Sequence, residues 1–150
     1  MSDIEKEINQ KAFQSSYQKA IINVLFTSGW LKRSVQDLLK PYKITHAQFN
    51  VLRILNGKYP EACNPGEIVD VMIEKMADVT RLLDRLKSKD LIRREVCPSN
   101  RRKLDVYITE NGKKLLAQIE PAIQKHHAEF HRLTPAEAEQ LSALLDKFRG

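Results

Sequence analysis

The segment from Met76 to Thr109, MADVTRLLDRLKSKDLIRREVCPSNRRKLDVYIT, constrains the fold more than any other part of the chain. Met76, Val79, Leu82, Leu83 and Leu86 recur at helical spacing, which predicts a helix over about 75–89 with that stripe in the core. Two β-prone runs follow, Leu91 to Val96 and Leu104 to Ile108, the second alternating Leu104, Val106 and Ile108. Pro98-Ser99-Asn100 between them is turn chemistry, so the pair should form a hairpin. Charge is concentrated in the same place. Residues 74–103 hold ten Lys/Arg against five Asp/Glu, an excess of five in a chain whose net charge is +6. A local concentration of this kind is an electrostatic footprint for a polyanion, where overall basicity alone would say little.

The rest of the chain reads as helix. From about Ile4 to Leu39, the residues Tyr17, Ile21, Val24, Leu25, Leu31, Val35 and Leu38 recur at three- and four-residue steps, and Pro41 stops the pattern. Three helix starts carry capping chemistry: Thr45-His46-Ala47-Gln48, Asn64-Pro65-Gly66-Glu67 and Thr134-Pro135-Ala136-Glu137. The first opens a helix that buries Phe49 and Leu52, the second a short helix to about Met72 carrying Ile68 and Val71. Thr109 can cap a helix with Leu115, Leu116, Ile119 and Ile123 that runs to about His131, and a last helix spans Ala136 to Phe148. The fold class is therefore mainly α with a small β-hairpin wing, in a single domain over residues 1–150.

The N-terminus is polar and of mixed charge, unlike a signal peptide, and the longest apolar patch, Ala20 to Phe26, is too short to span a bilayer. The expectation is a cytoplasmic protein without membrane association. No nucleophile–base pair, Gly-rich phosphate loop or carboxylate constellation stands out, so an enzyme is not expected and no cofactor is assigned. Cys63 and Cys97 are far apart in sequence with no CxxC, which argues against a structural disulfide in a reducing compartment.

A helix fits the major groove of B-DNA, where side chains on its exposed face reach base edges. The helix from Pro65 to about Met72 would support the one from about 75 to 89, with Ile73-Glu74 as the tight turn between them. Lys75, Ala77, Asp78, Thr80, Arg81 and Arg85 are then the candidate DNA-facing residues of the helix. Asn100, Arg101, Arg102 and Lys103 form a cationic hairpin tip beside the groove. Arginine suits that place because its planar fork holds phosphates or guanine edges by paired hydrogen bonds. The alternative for Arg81 and Arg85 is surface pairing with Asp78 or Asp84.

Several runs together carry a family resemblance: Val79 to Leu86, Lys89 to Arg94, Pro98 to Arg102 and Ile108 to Gly112. Upstream, Ile44-Thr45-His46-Ala47-Gln48-Phe49 joins them. Over roughly residues 20–148 the chain resembles the MarR family of bacterial winged helix-turn-helix regulators. The resemblance implies a homodimer whose N- and C-terminal helices, about 4–39 and 110–148, interlock. Each subunit would then offer one winged helix-turn-helix, about 44–109, to a pseudo-palindromic operator in double-stranded DNA. It also implies a repressor released by an effector. A small-molecule effector pocket would draw on Trp30, Arg33, Tyr42 and His46, whose other reading is core aromatic and surface polar residues. The chain departs from the family's pattern twice. Asn100 stands where an acid usually steadies a wing arginine, and Asp90 stands where Gly usually ends the helix; Asp tolerates a left-handed backbone better than most residues.

His127 and His131 lie at i, i+4, a spacing that can hold zinc on one helical face, but no second ligand pair is apparent and no metal is assigned. Cys97 has Arg93, Arg94, Arg101 and Arg102 near it in sequence, whose charges would lower its pKa. The rival function is a winged helix used for protein interaction without DNA.

Overall fold

A computed structural model describes residues 3–150, and the chain divides into two compact units, Met1–Ala47 and Gln48–Gly150. The first unit holds α1 (Ile4–Glu7), α2 (Ser16–Leu39) and a 3-10 turn over Lys40–Tyr42. The expected continuous helix from Ile4 to Leu39 is thus interrupted. Asn9 takes a left-handed backbone (φ 53°) just past α1, and the Ser15 side chain accepts from the Gln18 N–H at 3.1 Å to start α2 afresh. Pro41 sits inside the 3-10 turn, and Lys43 (φ 57°) turns the chain away.

The second unit contains the rest of α3 (His46–Lys58), then α4 (Pro65–Val71), α5 (Val79–Ser88), β1 (Ile92–Cys97), β2 (Asn100–Ile108), α6 (Glu110–Ala128) and α7 (Pro135–Arg149). Helix starts follow local chemistry. Asn64 and Glu67 form a reciprocal capping box on α4, Thr134 and Glu137 form one on α7, and Thr109 accepts from the Gly112 N–H on α6. Leu52, Leu55, Ile68, Met72, Leu83, Leu86, Ile92, Val106 and Ile119 are fully buried. Burial of each such side chain contributes roughly 1.5–3 kcal/mol. α4 packs on α5 and β2, and α5 packs on β1. Of the apolar residues that α4 carries, Ile68 is buried and Val71 exposed; Met72, one residue later, is buried.

The strands pair antiparallel from Ile92↔Ile108 to Val96↔Leu104, and the register slips after Val96 so that Cys97 faces Asn100. Cys63 extends the ladder: its N–H donates to the Val106 carbonyl at 3.0 Å, and the Val106 N–H donates back at 2.8 Å. Where α5 ends, Asp90 has the left-handed backbone expected of the position (φ 56°). Asn111 Nδ2 donates to Asp90 Oδ2 and Thr109 Oγ1 to the Asp90 carbonyl, both at 2.7 Å. Gly112 is required here, because a Cβ at that position would lie 2.4 Å from the Leu91 carbonyl oxygen.

Candidate nucleic-acid interface

The reading head begins later than the sequence periodicity suggests. Asp78 accepts from the Arg81 N–H at 3.1 Å, so α5 starts at Val79 rather than near residue 75. Lys75, Ala77 and Asp78 therefore precede the helix, and the two-residue turn expected at Ile73-Glu74 is a longer loop from Met72 to Asp78. Met76, expected in the core stripe, is 95% exposed. The stripe that is actually buried is Val79, Leu83 and Leu86, with Leu82 half-buried.

The loop is held at several points. The Ile73 N–H donates to Asn50 Oδ1 of α3 at 3.1 Å, and the Ala77 N–H donates to the Glu74 carbonyl at 3.2 Å. Lys75 Nζ reaches back to the carbonyls of Asp70 (2.5 Å) and Val69 (3.3 Å) at the end of α4, where a cation meets the negative end of the helix. Lys75 thus acts on the loop in this structure; sequence reasoning placed it only toward the groove.

Thr80, Arg81 and Arg85 lie exposed on α5. Neither Arg81 nor Arg85 pairs with Asp78 or Asp84. Asp78 is the cap, and Asp84 pairs instead with Arg94 of β1 at 2.8 Å. Arg94 is a partner sequence reasoning missed, since nothing local links residues ten apart across a helix end and a strand. With only 20% of its side chain exposed, it ties α5 to the hairpin. Arg93 pairs with Glu95 and lies over the Tyr107 ring at 4.1 Å. Two of the segment's arginines are therefore neutralised internally.

Asn100, Arg101, Arg102 and Lys103 do not form the turn itself; Pro98 and Ser99 make it, and these four residues begin β2. All four are exposed, and among the described residues Arg101, Arg102 and Lys103 have no ion-pair partner. Asn100 Oδ1 accepts from the Arg102 backbone N–H at 3.1 Å, so the amide steadies the wing through the main chain.

The other candidates disperse. Trp30 and Arg33 are exposed three residues apart on α2, while Tyr42 and His46 are half-buried beyond its end, and the His46 N–H donates to Gln36 Oε1 at 3.3 Å. His131 falls in the turn after α6, so His127 and His131 do not share a helical face; His126 instead packs edge-on to Phe130, 5.1 Å between ring centres. Among the described residues no group of three His, Cys, Asp or Glu is placed to hold a metal. The Cys97 thiol is held below its ordinary range, but by Ser99 rather than by arginines: the Ser99 hydroxyl lies 3.2 Å from Sγ, and the Ser99 backbone adds a second bond. Burial, with Glu67 nearby, pushes the Cys63 thiol up.

A capped helix carrying unpaired cations, braced by a shorter helix and flanked by a cationic hairpin, defines a winged helix-turn-helix of the DNA-binding class. Residues 44–104 match the model of the MarR family. A MarR transcription factor from Planctomyces limnophilus is 31% identical, with 90% of this chain and 98% of that chain covered and a TM-score of 0.68. A MarR point mutant from E. coli complexed with operator DNA is 29% identical over 98% of this chain and 99% of that chain, with a TM-score of 0.75. BpsR from Bordetella bronchiseptica, whose DNA binding is regulated by 6-hydroxynicotinic acid, is 28% identical over 93% and 98%, also with a TM-score of 0.75. The chain belongs to the MarR family of transcription regulators.

Proposed function

We propose that this regulator is a homodimeric, sequence-specific repressor that binds a pseudo-palindromic operator and is released by a small-molecule effector. The observation that carries the DNA reading is the set of exposed cations that have no ion-pair partner among the described residues: Arg81 and Arg85 on α5, and Arg101, Arg102 and Lys103 on β2. In this reading Thr80, Arg81 and Arg85 face the major groove with Ala77 and Asp78 at its edge, and Asn100 to Lys103 lie on the flanking backbone. Phosphate contacts fix register, and base contacts supply sequence preference. Two such heads related by a two-fold axis would sit about 34–36 Å apart, one turn of the duplex.

The dimer reading rests on apolar faces that the chain leaves open. Tyr17, Ile21, Leu25 and Leu31 on α2 and Leu141, Leu144 and Phe148 on α7 are all exposed. Trp30, Arg33, Tyr42 and His46 remain the effector candidates, and the relative regulated by 6-hydroxynicotinic acid supports a ligand of small aromatic type. No described helix is long and apolar enough to cross a membrane. The reading is of a cytoplasmic regulator without enzymatic activity.

Selection from random duplexes at two salt concentrations tests this. The expected result is an inverted repeat whose affinity falls steeply with salt. Arg101→Ala with Arg102→Ala should weaken binding and reduce the log–log salt slope by about two, one per phosphate contact. Recovery of no sequence at low salt would overturn the reading.

A further inference from the structure

Single exposed apolar side chains are ordinary on protein surfaces, so exposure alone assigns nothing. The loop ahead of α5 is different in density and position. Val71, Ile73 and Met76 are all exposed within six residues, Ile73 by 74% and Met76 by 95%. Val71 ends α4, and Ile73 and Met76 lie in the loop that leads into α5, the helix whose N-terminal end is where recognition helices place their base-contacting residues. Acidic and basic groups flank this loop: Asp70, Glu74 and Asp78 are near in sequence, and Arg81 and Arg85 follow exposed on α5. A protein or lipid partner would have to bury those unpaired charges along with the apolar groups. A duplex meets both needs, because phosphates take the cations, and the major groove offers one apolar group, the thymine 5-methyl.

The backbone presents Met76 in a fixed way. The Glu74–Ala77 hydrogen bond closes a turn with Lys75 and Met76 at its two central positions. Asn50 holds the residue before that turn, and Lys75 anchors it to the end of α4. Asp78 then fixes the first turn of α5 directly after it. The thioether side chain is thus flexible at its tip and restrained at its root, which suits an adaptable apolar contact.

We propose that Met76 is a specificity-determining residue that packs against a thymine 5-methyl group in the major groove. The inference rests on the DNA-binding reading above and adds to it a base preference carried by an uncharged residue. The test uses the duplex recovered by selection, synthesised with thymidine and again with deoxyuridine at each thymine of one half-site in turn. Deoxyuridine pairs identically and lacks only the methyl. Wild-type protein should bind about fourfold more weakly when the contacted methyl is absent, equivalent to about 0.8 kcal/mol for one buried carbon. Met76→Ala should bind the thymidine duplex more weakly and show no difference between the two at that position. Because Met76 is exposed, the variant retains its fold, and circular dichroism checks this. Equal wild-type affinity for all thymidine and deoxyuridine duplexes overturns the proposal while leaving the regulator reading intact. So does a methyl effect that persists unchanged in Met76→Ala. Failure to bind any duplex overturns the regulator reading and this inference with it.

Discussion

The winged segment and the terminal helices spend their apolar residues differently. From α3 to α6 the large side chains close on one another: Leu52, Leu83 and Ile119 are buried within a single chain. On α2 and α7 equally regular stripes stay open, with Tyr17 79% and Leu144 57% exposed. Both regions obey the same helical periodicity, so periodicity identifies an apolar face and not what covers it. The first region closes its apolar groups within the chain, and the second leaves them uncovered in it.

The strongest way to break this contrast is to make the same cut in both regions. Leu83→Ala should lower the unfolding free energy by about 2–5 kcal/mol, measured by denaturant titration, at any protein concentration. Leu144→Ala should instead act through assembly, with a midpoint shift that depends on protein concentration and a weakened association in sedimentation velocity. A concentration-independent loss for Leu144→Ala would show that α7 is not an interface. Next in size is Gly112→Ala. The added methyl meets a backbone oxygen, which cannot swing aside, so a loss of about 1–3 kcal/mol is expected in thermal or chemical unfolding. Unchanged stability would mean that α6 shifts freely from Leu91. The smallest effect sharpens the α7 side. Thr134→Ala removes a cap and should cost about 1 kcal/mol. Hydrogen bonds from the Thr134 backbone and side chain hold the Glu137 pKa below the usual carboxylate range. Its contribution is therefore complete above the ordinary Glu range and is lost as pH falls through the depressed value. Unfolding followed from neutral to acid pH should show that loss in wild type and less of it in Thr134→Ala.

What the sequence made legible was what is local. The caps at Asn64, Thr109 and Thr134 act over three residues, and the left-handed bend at Asp90 is a property of one. The hairpin was legible from alternation and a Pro-Ser turn. Met76 was misplaced because counting back from Val79 extends a helical stripe through a turn, whereas in the structure Asp78 caps α5 and ends the stripe there. His131 was misplaced in the same way at the far end of α6, where the turn begins at Glu129. The site's internal pairings were not legible at all. That Arg94 belongs to Asp84, and that Arg93 belongs to Glu95 and Tyr107, depends on how the hairpin lies on α5, which no spacing encodes. The segment's ten positive residues therefore overstate the charge available to a polyanion.

Among the described residues, the fastenings of the hairpin to the rest of the fold gather toward its base. Cys63 pairs with Val106, the Thr109 N–H donates to the Leu91 carbonyl, and Arg94 is tied to Asp84, while beyond Val96 the strand register slips. In mechanical terms it is a cantilever, clamped near Val106 and loaded with cations at the free end. From Val106 to Arg101 the arm is about 17 Å at strand rise. A bend of about 10° at the clamp therefore carries the guanidinium groups about 3 Å sideways, by the same strand length. A small elastic bend at the root would thus displace the loaded end by that distance without any change in pairing.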